Sequence, residues 1–222
     1  MDGHRASAIT LHFSLQKAHL LQKALEEKRY DAREVFDLRL ETERLSLMED
    51  FNTLLCLEQL PNVEKLWYQI ETVRKTLRYF NGRVLLADEV GLGKTIEAGM
   101  LIKEYVLRGL VETVLILTPS SLVSQWKEEM LTKFGFEFCA PPSSVSAHTC
   151  KRFWKTTRFI VSSINVAKSK NNLPIVVGHH YDLVVVDEAH HLKNTATQNW
   201  KLVNALKKRF IFCLPQRQWQ MT

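Results

Sequence analysis

Five short apolar runs recur between residues 84 and 214, and they constrain the fold more than any other feature of the sequence. Each run is rich in Val, Ile, Leu or Phe, and helix-forming stretches separate them. The runs are Val84–Ala87, Thr113–Thr118, Arg158–Ser162, Asp182–Val186 and Arg209–Leu214. Continuous apolar strands that alternate with helices are typical of a parallel sheet buried on both faces. The sequence therefore predicts an α/β fold, with a mainly parallel sheet covered by helices on both faces.

The intervals between the runs predict helices. These are expected over Ile96–Arg108, Leu122–Phe134 and Thr197–Lys207. Residues 139–152 contain Pro141-Pro142 and several serines, and they predict a loop.

Composition divides the chain into three parts. Residues 1–60 are rich in Glu, Lys, Arg and Leu, and they predict a helical N-terminal appendage that could dock on a partner subunit. Pro61-Asn62 marks the start of the main domain, expected over residues 61–214. Residues 215–222 form a tail of different character.

One strand-to-helix junction has the pattern of a phosphate-binding loop. Val84–Ala87 leads into Asp-Glu-Val-Gly-Leu-Gly-Lys-Thr, and the helix follows. Glycines let backbone N–H groups approach phosphate oxygens, and the helix N-terminus favours negative charge. The residues expected to bind the nucleotide here are Gly91, Leu92, Gly93, Lys94, Thr95 and Ile96. Lys94 would reach the phosphates and Thr95 would ligate Mg²⁺; the alternative is a glycine turn with a surface lysine.

Two carboxylates stand at the end of another apolar strand. Asp187 and Glu188 follow Asp182–Val186 directly, at the edge where parallel α/β sheets bind ligands. Asp187 would hold Mg²⁺, and Glu188 would orient and deprotonate the attacking water. The alternative for Asp187 is a helix N-cap. His190 is interpreted as part of the same network.

Composition excludes several classes of protein. No apolar run approaches the ~18 residues of a membrane span, and the first residues lack the apolar core of a signal peptide. We therefore expect a cytoplasmic protein with no membrane partner.

The four cysteines form no C-x-x-C pair and are expected to be free thiols, with no spacing typical of zinc ligands. Residues 61–222 carry 22 Lys and Arg against 13 Asp and Glu, which favours nucleic acid as a partner or a solvated surface.

The two motifs together resemble a known family. LLADEVGLGKTIEAG followed by DEAHHLKN resembles the first RecA-like lobe of superfamily-two DEAD/DEAH-box helicases, and in particular the Swi/Snf-type branch. The resemblance covers residues 62–214. In that branch Asp is usual at the position of Asp88, where the general phosphate-loop pattern has Gly.

The resemblance implies further site residues. Gln69 would read the adenine base, or else be an exposed helix residue. A second set would lie along a nucleic-acid backbone: Thr118, Pro119, Ser120, Gln125, Trp126, Ser162 and Ser163. Hydroxyl and main-chain N–H groups suit contacts with phosphates that carry no sequence information. The alternative for Trp126 is packing within its helix.

The resemblance implies an ATP- and Mg²⁺-dependent enzyme that couples hydrolysis to movement on nucleic acid, with DNA favoured over RNA. Lys94, Asp187 and Glu188 would be its catalytic residues. Two alternatives remain open. One is a nucleic-acid-binding remnant without turnover. The other is an unrelated phosphate-loop ATPase acting on protein, which Gln69 and the DEAH motif disfavour.

The C-terminal residues depart from the family, in which this strand runs into Thr-Ala-Thr-Pro. One permitted coding of Cys213–Thr222, read in the neighbouring frame, encodes Leu-Leu-Thr-Ala-Thr-Pro-Val-Ala-Asn-Asp. We therefore hypothesise a frame shift near Phe212, in the gene or in its recorded sequence. The chain would then be the truncated first half of an ATPase, lacking the second RecA-like lobe, with weak ATP binding and little turnover.

Overall fold

The computed structural model describes residues 53–61, 63–80, 82–86, 93–142 and 147–215, together with residues 35 and 37. Residues 87–92 of the phosphate loop and the tail at 216–222 lie outside this set. The chain divides into two units, Met1–Glu49 and Asp50–Thr222, and every element described below belongs to the second.

The described residues form a five-stranded sheet with strand order β1-β5-β4-β2-β3. All four strand pairings are parallel. The strands are β1 (Arg83–Leu85), β2 (Val114–Thr118), β3 (Phe159–Ser163), β4 (His180–Asp187) and β5 (Lys207–Leu214). The predicted parallel α/β fold is confirmed.

One helix precedes β1, and the others lie in the connections between the strands. They are α1 (Trp67–Tyr79), α2 (Lys94–Leu107), α3 (Val123–Phe134), α4 (Ala147–Thr156), α5 (Ile164–Ala167), α6 (Leu173–Gly178) and α7 (Gln198–Ala205). Short 3-10 helices cover Leu55–Gln59, Ser120–Leu122 and Ala189–Leu192. Within the described part of the chain, none of the helices is long and apolar enough to cross a membrane.

Strands β2, β3 and β4 are mostly buried, and since successive side chains point to opposite sides of the sheet, both of its faces are covered there. Val114 and Ile116 of β2 pack in one hydrophobic cluster with helices α1, α2 and α3. Leu115 and Leu117 of the same strand pack in a second cluster with α4 to α7. All five residues of β2 are buried, which is why its sequence is continuously apolar rather than alternating.

The residues just before position 61 pack on the main domain. Leu54, Cys56 and Leu60 are buried in the cluster that also contains α2. The carboxylate of Glu104 on α2 accepts hydrogen bonds from the backbone N–H groups of Leu55 (3.1 Å) and Cys56 (2.8 Å). Residues 54–60, predicted to belong to the appendage, therefore pack on the main domain.

The prediction of a loop over residues 139–152 is wrong at its C-terminal end, where α4 begins at Ala147. Cys150, Phe153 and Trp154 have the spacing of an apolar helix face, and all three pack in the second cluster. The prolines and serines dominated the sequence pattern, yet the prolines precede the helix and leave its hydrogen bonds intact.

Candidate active site

The candidate site lies at the carboxyl edge of the sheet. β1 leads toward the phosphate loop and β4 ends at Asp187, and β5 lies between them. Gly93 is the N-cap of α2 with φ 85°, in the left-handed region that glycine adopts without strain. Its carbonyl accepts from Ile96 N at 2.7 Å, so helical bonding starts immediately after the loop. Lys94 and Thr95 form the first turn, whereas Gly91 and Leu92 lie outside the described residues.

Gln69 lies against this first turn. It is buried on α1, 3% exposed, so the alternative of an exposed helix residue does not hold. A Cβ atom added to Gly93 would lie 2.4 Å from Gln69 Nε2. The absence of a side chain at Gly93 therefore allows the amide of Gln69 to approach the backbone at the end of the phosphate loop.

Asp187 is held by three donors. Its Oδ2 accepts from Thr118 Oγ1 at 2.9 Å and from Trp126 Nε1 at 2.8 Å. Its Oδ1 accepts from the backbone N–H of Glu188 at 2.9 Å. The helix N-cap here is Glu188 rather than Asp187, so the capping alternative for Asp187 does not apply. Hydrogen bonds of this charge-assisted kind fix the direction of a carboxylate.

Glu188 has an unusual backbone. Its φ of 53° is the only positive value among the non-glycine residues that the structure describes. A left-handed backbone costs a residue with a side chain about 1–2 kcal/mol, and such strain is concentrated at functional sites. The conformation turns the chain sharply after β4 and brings the Glu188 carboxylate to within 3.1 Å of His190 Nδ1.

The electrostatics of Glu188 tie the two motifs together. Burial raises the pKa of its carboxyl, and the negative charge of Asp187 raises it further. The charges of His191 and Lys94 act in the opposite direction. Desolvation lowers the pKa of His190, which favours a neutral imidazole beside Glu188.

The residues expected along a nucleic acid separate by exposure. Ser120 and Gln125 are exposed and Pro119 is half-buried. The other four are buried: Thr118, Trp126, Ser162 and Ser163. Trp126 and Thr118 face Asp187 instead of the surface. Ser163 caps α5 by accepting from Val166 N at 3.1 Å, and Ser162 donates to the Ser163 carbonyl at 3.1 Å.

A cleft of about 220 Å³ joins these segments to the acidic strand end. Its lining includes Thr118, Ser120, Ser163, Asn165, Glu188, His191 and Asn199. Asn165 and Asn199 were not identified from the sequence. Asn165 follows Ser163 closely and could have been found there, but Asn199 lies on α7, where no local pattern marks it. Lys168 Nζ donates to Asn199 Oδ1 at 2.9 Å, which brings a positive charge to the α7 side.

Comparison with known proteins finds one matching family and relatives that are similar over most of the chain. Residues 62–214 match the family described as type III restriction enzyme, res subunit. The chain is 40% identical over 181 residues to an uncharacterized ATP-dependent helicase, YqhH, of Bacillus subtilis, which covers 82% of the chain and 31% of that protein. It is 36% identical over 160 residues to the RNA polymerase-associated protein RapA of Actinobacillus pleuropneumoniae, covering 64% of the chain and 16% of that protein.

The fold is also that of a solved ATPase core. The SWI2/SNF2 ATPase core of Sulfolobus solfataricus in complex with dsDNA superposes with a TM-score of 0.59 at 20% identity. The match covers 70% of the chain and 32% of that structure. The chain thus spans about a third or less of the length of these relatives.

Proposed function

Because the chain belongs to the family described as type III restriction enzyme, res subunit, among the Swi/Snf-type helicase-like ATPases of superfamily two, we propose that it is the ATP- and Mg²⁺-binding first lobe of an ATPase that moves along DNA. One observation carries the proposal. β1, which leads to the phosphate loop, and β4, which ends at Asp187, are parallel and lie one strand apart, so both motifs follow strand ends at the same edge of the sheet.

The donor set fits the nucleotide and the metal. The first turn of α2 offers backbone N–H groups, a lysine and a threonine hydroxyl to phosphates. Thr95 and Asp187 supply hard oxygen ligands, which Mg²⁺ prefers. When bound, Mg²⁺ would neutralise charge on the phosphates. Gln69, buried beside Gly93, offers an amide that can both donate to and accept from adenine.

Glu188 is the proposed general base. Its raised pKa makes its carboxylate a better acceptor of a proton from the attacking water. His190 Nδ1 lies 3.1 Å from the Glu188 carboxylate, but the two atoms form no hydrogen bond. Asp187 is fixed by its three donors and therefore keeps its direction toward the metal site while Glu188 changes protonation.

The cleft beside Glu188 is the proposed phosphate contact for nucleic acid. The hydroxyl of Ser120 and the amides of Asn165 and Asn199 can donate to phosphates without reading bases, which suits movement along any sequence. The related SWI2/SNF2 core has been solved with double-stranded DNA, which supports duplex DNA over RNA as the partner.

The matched residues 62–214 are proposed to form one lobe. In related phosphoryl-transfer enzymes, an arginine supplied from outside the phosphate-binding domain accelerates hydrolysis by about 10³–10⁵. We therefore expect this chain alone to bind ATP and to turn it over slowly.

The proposal is tested by titrating the chain with a fluorescent ATP analogue in Mg²⁺. Lys94→Ala should weaken binding by about tenfold to a hundredfold, because one charged hydrogen-bond donor to phosphate contributes about 1.5–3 kcal/mol. Lys127→Ala, at an exposed position of α3 away from the loop, is the matched control and should bind like wild type. Equal affinities for Lys94→Ala and Lys127→Ala would reject the nucleotide site.

The nucleic-acid half is tested separately with duplex DNA and duplex RNA of one sequence. Asn199→Asp places a negative charge in the cleft and should weaken DNA binding more than Asn199→Ala does. Tighter binding of RNA, or equal effects of the two variants, would contradict this part of the proposal.

A further inference from the structure

Trp126 is the one buried residue between Ser120 and Glu129. It lies on α3 between Gln125 and Lys127, which are both exposed, while its own side chain is 2% exposed. Ser120, on the 3-10 helix that leads into α3, is exposed as well. The same short segment therefore presents polar groups to the surface and sends one large ring into the interior.

The indole of Trp126 reaches Asp187 at the C-terminal end of β4. Trp126 Nε1 donates to Asp187 Oδ2 at 2.8 Å across 61 residues of chain. Thr118 Oγ1 donates to the same oxygen at 2.9 Å. An indole N–H can only donate, so it suits a carboxylate oxygen, which accepts.

Packing alone does not account for a tryptophan with this partner. Trp154 on α4 is also fully buried in the second cluster, yet its Nε1 has no hydrogen-bond partner among the described residues. The chain therefore tolerates a buried indole for its volume alone. At Trp126 the ring carries in addition a directed bond to the carboxylate proposed to hold Mg²⁺.

We propose that Trp126 is a positioning residue that sets the orientation of Asp187 and couples it to the surface offered by Ser120 and Gln125. A displacement of α3 by a nucleic acid would move the indole N–H and with it the preferred direction of Asp187 Oδ2. Residues that orient metal ligands commonly change metal affinity by about 10–100-fold when they are replaced. The inference rests on the proposed function, because Asp187 is taken as a metal ligand.

The test separates metal binding from nucleotide binding. The Kd for the fluorescent ATP analogue is measured in EDTA and in Mg²⁺. The ratio of the Kd in EDTA to the Kd in Mg²⁺ reports how much the metal strengthens binding. Trp126→Phe, which keeps a buried ring and removes the donor, should lower this ratio about tenfold and leave the Kd in EDTA unchanged. Trp154→Phe removes a similar volume from a buried indole and should leave the ratio at its wild-type value.

A second variant keeps the inference testable if Trp126→Phe fails to fold. Thr118→Val removes the other donor to Asp187 Oδ2 and should lower the same ratio, and Thr118→Ser, which restores a hydroxyl, should recover part of it.

The coupling to nucleic acid is tested by adding duplex DNA, which should change the ratio in wild type more than in Trp126→Phe.

The outcomes are distinct. An unchanged ratio in Trp126→Phe and Thr118→Val, with Mg²⁺-dependent binding in wild type, overturns the positioning role and leaves the proposed function standing. An equal response of wild type and Trp126→Phe to DNA overturns the coupling. A wild-type chain that does not bind the nucleotide overturns the proposed function and this inference together.

Discussion

Replacing Arg108 by methionine is expected to lower the free energy of unfolding by about 3–5 kcal/mol. The Arg108 and Glu104 side chains are 2% and 0% exposed, and they form a buried ion pair on α2. Arg108 Nε and Nη2 both approach Glu104 Oε1, at 2.8 Å and 2.7 Å. Methionine retains the apolar stem but leaves the buried carboxylate without its cation, which is the costly way to break such a pair.

The structure places the effect toward the lower end of that range. Glu104 keeps the two backbone N–H groups of Leu55 and Cys56, which still stabilise its charge. Arg108 Nη2 also donates to the Thr53 carbonyl at 2.8 Å, and this bond is lost as well. We therefore expect a loss of about 3 kcal/mol, a large fraction of the ~5–15 kcal/mol that stabilises a typical domain.

The assay is urea unfolding followed by circular dichroism. With a denaturant dependence of about 1–3 kcal/mol/M, the midpoint should fall by about 1–3 M. The matched control is Arg158→Met, whose partner Glu112 lies 3.6 Å away with both side chains exposed, 64% and 78%. A pair exposed to this degree is worth only about 0–1 kcal/mol.

A double variant isolates the cause. Glu104→Gln in the Arg108→Met background removes the unpaired charge and keeps an acceptor for the backbone donors, so it should recover part of the stability. The reasoning is refuted if Arg108→Met costs no more than Arg158→Met, or if the double variant is no more stable than Arg108→Met alone.

Two further predictions concern backbone positions. Glu188→Gly should be more stable than Glu188→Ala by about 0.5–1 kcal/mol. Both substitutions remove the carboxylate, but only alanine retains the strain of the positive φ. Equal midpoints in thermal unfolding would show that the turn is unstrained. Gly99→Ala should destabilise by about 1–3 kcal/mol, although alanine is the better helix former, since the added Cβ would lie 2.2 Å from the buried ring of Phe134. Urea unfolding measures this loss of stability. Adding Phe134→Leu to Gly99→Ala should reduce the loss. A Gly99→Ala variant more stable than wild type would contradict the packing argument.

The strands and helices α2, α3 and α7 could be predicted because their patterns are local, whereas α1 was not predicted. Each strand contains a short apolar run, and the predicted bounds of α2 and α3 differ from the observed ones by at most two residues. The helix α4 was missed because the prolines and serines before it outweighed the apolar spacing of Cys150, Phe153 and Trp154. Helix starts are set by hydrogen bonding over a few residues, and composition averaged over a longer window obscures them.

The candidate site was predictable in its chemistry and only partly in its geometry. Lys94, Asp187 and Glu188 were identified because phosphate loops and acidic strand ends have recognisable short patterns, and their catalytic roles stay predictions. Trp126 was assigned to nucleic acid because its neighbours are polar. Its bond to Asp187 joins residues 61 positions apart, and no pattern within α3 contains that information.

The sequence by itself determined the classes of residue available: apolar runs that must be buried, a glycine-lysine-threonine turn, and two carboxylates after a strand. Tertiary structure decided which of them meet. The strand order β1-β5-β4-β2-β3 separates β1 from β4 by one strand and places β2 beside β4. This brings the start of α2 and the acidic end of β4 to the same edge of the sheet, and Thr118 into contact with Asp187. The reason is physical: local patterns determine which surfaces must be buried, whereas the pairing of strands distant in sequence determines which polar groups share the space at their ends.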